Sequence, residues 1–455
     1  MRILFALSTF FLSLSLMFSE GLEGNVLLQS IHCCIALICS ISLFLYNRFP
    51  FSLYQIVHLF ILAFLCIAPI LQYKNGITIW GGIPFSEADY ILTSLYVLGV
   101  LLLYNGIYAF VIHRKVVKAF VNIASFFSNE TLSMRLSRKE ESLFIVVMCV
   151  ILGLLLKIND YNIYSLFYRG GELVIDSQLT MSNNYSTGQV LVVSIFLRPM
   201  AVVLFLAAFR LGVSHKFVLF LLGILMFLCA FPTAMARFSF AALYLLILLT
   251  LSRFIRKDNV LILVLVFGLL FVFPYLSRFR NYNDNMSLDF SWSTEMFLGG
   301  DFDSYSSFLR VINHDIITYG YQLLGSLFFW IPRSIWSSKP IGSGSLLHET
   351  LHLDFDNISC CYFAEGYINA GILGVFLFVM ILAVLTGTLD KGYWTIVTRY
   401  RNSYFDLIYY ICFGLLFFLL RGDLLSSFAY TIGFVLSCVV VYILLRTQRR
   451  YRLKL

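Results

Sequence analysis

AGILGVFLFVMILAVLTGTL, residues 370–389, is a run of twenty residues without one charged side chain. As a helix it would rise 1.5 Å per residue and cross the hydrocarbon of a bilayer, about 30 Å thick. It carries no charged face for water, so it does not read as the surface helix of a soluble domain. The same signature recurs outward in both directions. Twelve apolar segments qualify as candidate spans: 3–19, 26–45, 52–72, 91–112, 143–158, 190–210, 217–234, 238–252, 260–277, 370–389, 405–420 and 424–445. Several are near the short limit, so a count of 11–13 is also allowed. The first has an arginine ahead of an apolar run, as a signal peptide does. Its exit, Met17-Phe18-Ser19-Glu20, lacks a small-x-small cleavage pattern and therefore reads as a helix.

Composition agrees. Of 455 residues, 60% are hydrophobic and 12% charged, with mean hydropathy +0.87; soluble domains carry about 25% charged residues. This excludes a soluble enzyme, a disordered chain and a nucleic-acid binder, and leaves an all-α polytopic membrane protein. Eight of the ten cysteines lie in apolar runs as small hydrophobes. Cys360 and Cys361 are adjacent and read as packing residues rather than a disulfide.

The net charge of +8 acquires meaning only when divided by side. With the N-terminus inside and the spans alternating, 21 of the 32 Lys+Arg face one side with only six acids. The other side holds 11 against 18. The positive-inside rule places both termini in the cytoplasm. Residues 1–277 then form spans one to nine, with an outer loop at 159–189. Residues 278–369 form a large outer loop, and 370–455 the last three spans and a basic tail. Loops this long are usually functional. Within the large one, 319–336 (YGYQLLGSLFFWIPRSIW) reads as an amphipathic segment at the outer interface, or one that dips in and returns. No internal repeat is evident, which disfavours transporters built from duplicated halves.

The outer side is acidic yet holds a set of arginines. Arg198 lies inside the sixth span beside Pro199, suggesting a broken helix lining a cavity. Arg237 sits at the turn between spans seven and eight, Arg278 and Arg280 cap span nine, and Arg310 and Arg333 lie in the large loop. Arg421 opens the last short turn, where Asp423 offers a structural pair. Each also reads as a snorkelling residue or an ion-pair member. Guanidinium forks match phosphate oxygens, so the set suggests a lipid-linked phosphate or pyrophosphate. Asp301, Asp303 and the 354–357 and 364–369 clusters suit sugar hydroxyls, the two aspartates being equally placed to pair with arginines. Glu365, just above an apolar run, is a candidate base because desolvation raises a carboxyl's pKa. His348-Glu349-Thr350-Leu351-His352 fits H-E-x-x-H. On a helix the two histidines would share a face for zinc, but the motif follows a Gly/Ser stretch in a loop. His348 without metal remains a second candidate base.

Trp330-Ile331-Pro332-Arg333, Trp336, Lys339-Pro340, Gly342-Ser343-Gly344 and Glu365-Gly366-Tyr367-Ile368-Asn369-x-Gly371 together resemble the Wzy-type O-antigen (oligosaccharide repeat-unit) polymerases. Arg278-Phe279-Arg280 before Gly300-Asp301 and the spacing Arg333-x10-Gly344 add to the resemblance. A second R-x10-G element is not clean in the 159–189 loop. The resemblance implies a GT-C-like fold and a multi-pass protein of the bacterial inner membrane, with its site facing the periplasm. It implies transfer of a growing glycan from undecaprenyl pyrophosphate to a new lipid-linked repeat unit, a chain-length-regulating co-polymerase as partner, and no cofactor or metal requirement. The expected catalytic residues are Glu365, His348 and Arg333. The expected substrate-binding residues are Arg198, Arg237, Arg278, Arg280, Arg310, Asp301, Asp303, Lys339 and Tyr367. Three other readings stay open: an O-antigen ligase acting on lipid A–core, a lipid-linked oligosaccharide flippase, and an H-E-x-x-H membrane protease.

Overall fold

Apolar runs unbroken by charge fold as helices because, in hydrocarbon, only a helix satisfies its backbone groups within one segment. The computed structural model describes residues 1–19, 24–46, 48–114, 135–167, 192–269, 294–399 and 404–453. Among these every regular element is helical. They are α1 (Arg2–Met17), α2 (Val26–Phe44), α3 (Leu53–Lys74), α4 (Glu87–His113), α5 (Arg138–Ile158), α6 (Val193–Leu211), α7 (Lys216–Cys229), α8 (Arg237–Leu251) and α9 (Val260–Phe267). The long-loop helices are α10 (Ser304–Asn313), α11 (Tyr321–Leu327) and α12 (Ser343–Leu351). Then follow α13 (Tyr362–Arg399), α14 (Phe405–Arg421) and α15 (Leu424–Leu453).

Eight of the described helices are long and apolar enough to cross a membrane. The other four expected spans fall on shorter helices: α1, α8, α9, whose description ends at residue 269, and α14. Starts are set by local side chains. Ser52 with Gln55, Ser86 with Asp89 and Ser137 with Glu140 form capping boxes at α3, α4 and α5.

The spanning window of α3 is wholly buried, so α3 is the central helix. Only about a third of the α4 window is buried, and less of α5 and α7, which places these three at the outside of the bundle. Two π-helical stretches occur, Ile61–Ile67 in α3 and Val193–Leu197 in α6. Each immediately precedes an X-Pro pair, Ala68-Pro69 and Arg198-Pro199. Proline lacks an N–H and crowds the carbonyl four residues back; the wider π turn absorbs both. The helix at Arg198 is therefore continuous rather than broken.

Contacts sort the polar residues into two ends. At one, Arg2 pairs with Asp258 (2.7 Å), Arg210 with Asp406 (2.6 Å), and Arg48 meets His113 (3.5 Å). At the other, Asn25 meets Glu87 (2.9 Å), and Arg237 and Arg421 meet Asp301 and Asp303.

The described part of the large loop is woven into the bundle. Helix α10 is buried from Ser304 to Ile312, and the Tyr305 hydroxyl donates to the Tyr90 carbonyl of α4 (2.9 Å). The Phe302 ring is a plug, fully buried and stacked 4.4 Å from Phe64. The amphipathic segment expected over 319–336 is helical only over α11. Its remainder folds into turns that close on themselves. All ten cysteines are free thiols. Cys360 and Cys361 are buried as expected, whereas Cys34 and Cys149 lie exposed on α2 and α5.

Candidate functional site

The site grows from the Phe302 plug. Gln72 Nε2 of α3 donates to the carbonyls of Phe297 (2.8 Å) and Phe302 (3.1 Å), holding the tip that carries Asp301 and Asp303. The Trp80 indole lies against Gly300, where a Cβ would sit 2.0 Å from the ring; only glycine fits. The Trp80 Nε1–H donates to Asp303 (2.9 Å). Ser359 adds its backbone N–H (3.1 Å) and its hydroxyl to the same carboxylate. Asp303 is thus buried and bonded.

Two guanidinium groups close over this tip. Arg237, the first residue of α8, meets Asp301 with both terminal nitrogens (3.2 and 3.3 Å). Arg421, the last residue of α14, donates Nε–H to the Asp301 carbonyl (2.9 Å) and Nη2–H to the Gly300 carbonyl (3.3 Å). Its Nη2 lies 3.5 Å from Asp303 and 4.0 Å from the Asp301 carboxylate. Arg421 therefore pairs with the loop tip and not with Asp423. Arg237, Arg421 and Asp301 remain about a third exposed. The register is set by close packing of α8 on α14, where Phe238 stacks on Phe418 at 3.6 Å.

Directly after Arg421 the chain meets Glu365. This side chain has no exposed area. One oxygen accepts from the Leu424 N–H that opens α15 (2.8 Å), the other from the Ser343 hydroxyl that opens α12 (2.9 Å). Asp423 caps α15 through the Ser426 N–H (2.7 Å). It also packs on Gly342, where a Cβ would come within 2.7 Å of its oxygen. Burial pushes the Asp423 carboxyl above its ordinary range. Two acids, two helix N-termini and two arginines thus converge within a few residues. At Ala370 and Gly371 the backbone leaves helical geometry, separating the Glu365 turn from the membrane-crossing part of α13.

The other expected residues lie apart from this knot. Arg198 donates to the Cys229 carbonyl at the C-terminus of α7 (3.0 Å), a helix-end contact inside the bundle. Arg310 is buried and clamps the 79–81 turn through the carbonyls of Ile79 and Gly81; burial lowers its pKa, with Asp303 acting the other way. Arg333 is exposed and donates to the carbonyls of Lys339 (2.6 Å) and Pro340 (3.1 Å). Lys339 in turn donates to those of Phe329 (2.6 Å) and Ile331 (3.0 Å). Tyr367 donates to Asp315 (2.8 Å). Arg278 and Arg280 lie outside the described residues. The H-E-x-x-H pair does not share a helical face: α12 ends at Leu351, and His352 takes a left-handed φ of 50°. His348 donates Nδ1–H to the Leu353 carbonyl (2.8 Å). Among the described residues no group of three or more metal-ligating side chains is gathered.

Sequence reading missed Trp80, Ser343, Ser359 and Asp423 as members of this site, and gave Arg421 the wrong partner. The run Trp80-Gly81-Gly82, each with positive φ, was the available signal of a tight turn beside a close neighbour. No protein-family model, curated protein or solved structure matches this chain.

Proposed function

We propose that this protein is a membrane glycosyltransferase that polymerises undecaprenyl-pyrophosphate-linked repeat units on the outer face of the membrane. The observation that carries the reading is the Asp301 carboxylate lying against both Arg237 and Arg421 at a partly exposed position. An anionic group between two guanidinium forks marks a place that a phosphate suits. A pyrophosphate leaving group gathers negative charge as the sugar bond breaks, and fixed cations stabilise that change. The adjoining N-termini of α12 and α15 add partial positive charge. In this reading Asp301 holds the arginines in place until substrate phosphate displaces it. Glu365 accepts the proton of the attacking sugar hydroxyl once Ser343 moves aside. His348 and Arg333 become secondary, because their polar groups serve their own loop.

The test is the surface-polysaccharide ladder of a deletion strain complemented with Arg421→Ala, Arg237→Ala or Glu365→Gln. Collapse to core plus a single repeat unit in the deletion supports polymerisation. Failure of the normally expressed variants to restore the ladder supports the site. Core without any repeat unit points to a ligase or flippase, and an unchanged ladder in the deletion removes the reading.

A further inference from the structure

The opposite end of the bundle contains a cavity of about 480 Å³ between α2, α3 and α4. This is the size of small-molecule sites. Its walls include Ile38, Ile41, Phe49 and Ile112 and the rings of Tyr54 and Tyr108, with Ser42 and Asn105 as polar side chains among them. The polar groups of those tyrosines are already bonded to protein. Tyr54 O–H donates to Asn105 (2.8 Å) and Tyr108 O–H to the buried Asp390 (2.7 Å). Asp390 also accepts from the Leu53 and Tyr54 N–H groups and from the Tyr409 hydroxyl. The walls therefore offer a ligand mainly hydrocarbon and ring faces.

The mouth is different. Arg48 and His113 line it and meet at 3.5 Å. Lys391 Nζ–H donates to the carbonyl of the lining residue Ile112 (2.7 Å), and its charge lies within the influence of Arg48. Arg114 follows His113 and stacks on Phe110. Among the described residues none of these four pairs with a carboxylate. Arg48, Arg114 and Lys391 are like charges that repel, the neighbouring Asp390 being already bonded by two backbone N–H groups and two tyrosine hydroxyls, and a bound anion relieves the repulsion. An apolar cavity with a cationic mouth at a membrane edge matches an amphiphile whose anionic head sits among basic side chains. The positive-inside rule reads this end as cytoplasmic.

We propose that this cavity is a binding site for a lipid of the inner leaflet whose phosphate head carries net negative charge, distinct from the Arg237–Arg421 site at the other end. The Arg48, His113 and Lys391 side chains hold the phosphate, and the space between α2, α3 and α4 takes the first part of the hydrocarbon chain.

The protein purified in detergent would be titrated with dioleoyl phosphatidic acid, with dioleoyl phosphatidylcholine and with inorganic phosphate, reading bound lipid by native mass spectrometry. The expected result is saturable one-to-one binding of phosphatidic acid, weaker binding of phosphatidylcholine, and no competition by equimolar phosphate. Arg48→Gln should weaken phosphatidic acid about fivefold, from about 1 kcal/mol per basic residue near a lipid surface. Arg48 is exposed, so this variant leaves the core intact. Ala109→Phe, which adds bulk at the lining, should weaken binding without altering charge. Equal binding of both lipids, displacement by phosphate alone, or indifference to both substitutions would overturn the proposal.

Discussion

Glu365 carries the sharpest test at the scale of one residue. Its two oxygens join the first residues of α12 and α15, so the side chain is both a structural link and the proposed base. Glutamine keeps an acceptor for the Leu424 N–H and can donate to the Ser343 hydroxyl. Leucine leaves both partners unpaired, at a cost of about 1–3 kcal/mol. Glu365→Gln should therefore melt close to the wild type in detergent yet abolish the ladder, whereas Glu365→Leu should lose both stability and ladder. A glutamine variant with a normal ladder would leave Glu365 a purely structural role. Arg210 and Asp406 make a second residue-scale case. They form an almost buried pair at the other end, with Arg210 Nη1 and Asp406 Oδ1 otherwise unpartnered. Removing one member strands the other, so Asp406→Leu should cost about 3–5 kcal/mol, and Arg210→Met in the same chain should recover much of it. Thermal unfolding of the single and double variants reads this directly.

At the scale of elements, the loop tip is held mainly by its one plug. Phe302 packs between Phe64 and Phe297, and Gln72 bonds the carbonyls on either side. Phe302→Ala should cost about 3–5 kcal/mol. It should also release Asp301 and Asp303 from Arg237 and Arg421, seen as new protease cleavage near residue 300. Unchanged cleavage would mean that Arg421 and Trp80 suffice to hold the tip. The helices themselves were largely legible, because hydropathy and capping are local properties: Ser86 with Asp89 announces α4 within four residues. The 319–336 segment was less so. Its aromatic content suggested one interfacial helix, but Pro332 and the self-bonding of Arg333 and Lys339 turn the chain after Leu327. Pro69 and Pro199 are absorbed by π turns within continuous helices, whereas the chain ahead of Pro332 has already left the helix at Leu327.

At the scale of the whole molecule, the two ends differ in charge. Arg48, Arg114 and Lys391 gather at one, and the Asp301, Asp303, Glu365 and Asp423 cluster at the other. The positive-inside rule turns this difference into an orientation. Alkaline phosphatase, which is active only outside the cytoplasm, should be inactive when fused after Arg114 and active when fused after Trp336. The reverse pattern would invert the molecule and move the proposed polymerising site to the cytoplasm.

The amino-acid sequence by itself determined that this is a helical membrane protein, and it singled out Glu365, Asp301, Asp303 and Arg237. Those inferences rest on composition over about twenty neighbouring residues and on the cost of placing charge in hydrocarbon. Only the tertiary structure decided which charges meet. Arg421 and Asp301 are 120 positions apart, and Trp80 and Asp303 are 223 apart. No local pattern encodes such pairs, because they form only when the Phe302 plug, the close approach at Gly300 and the packing of α8 on α14 bring three distant segments to one end of the bundle.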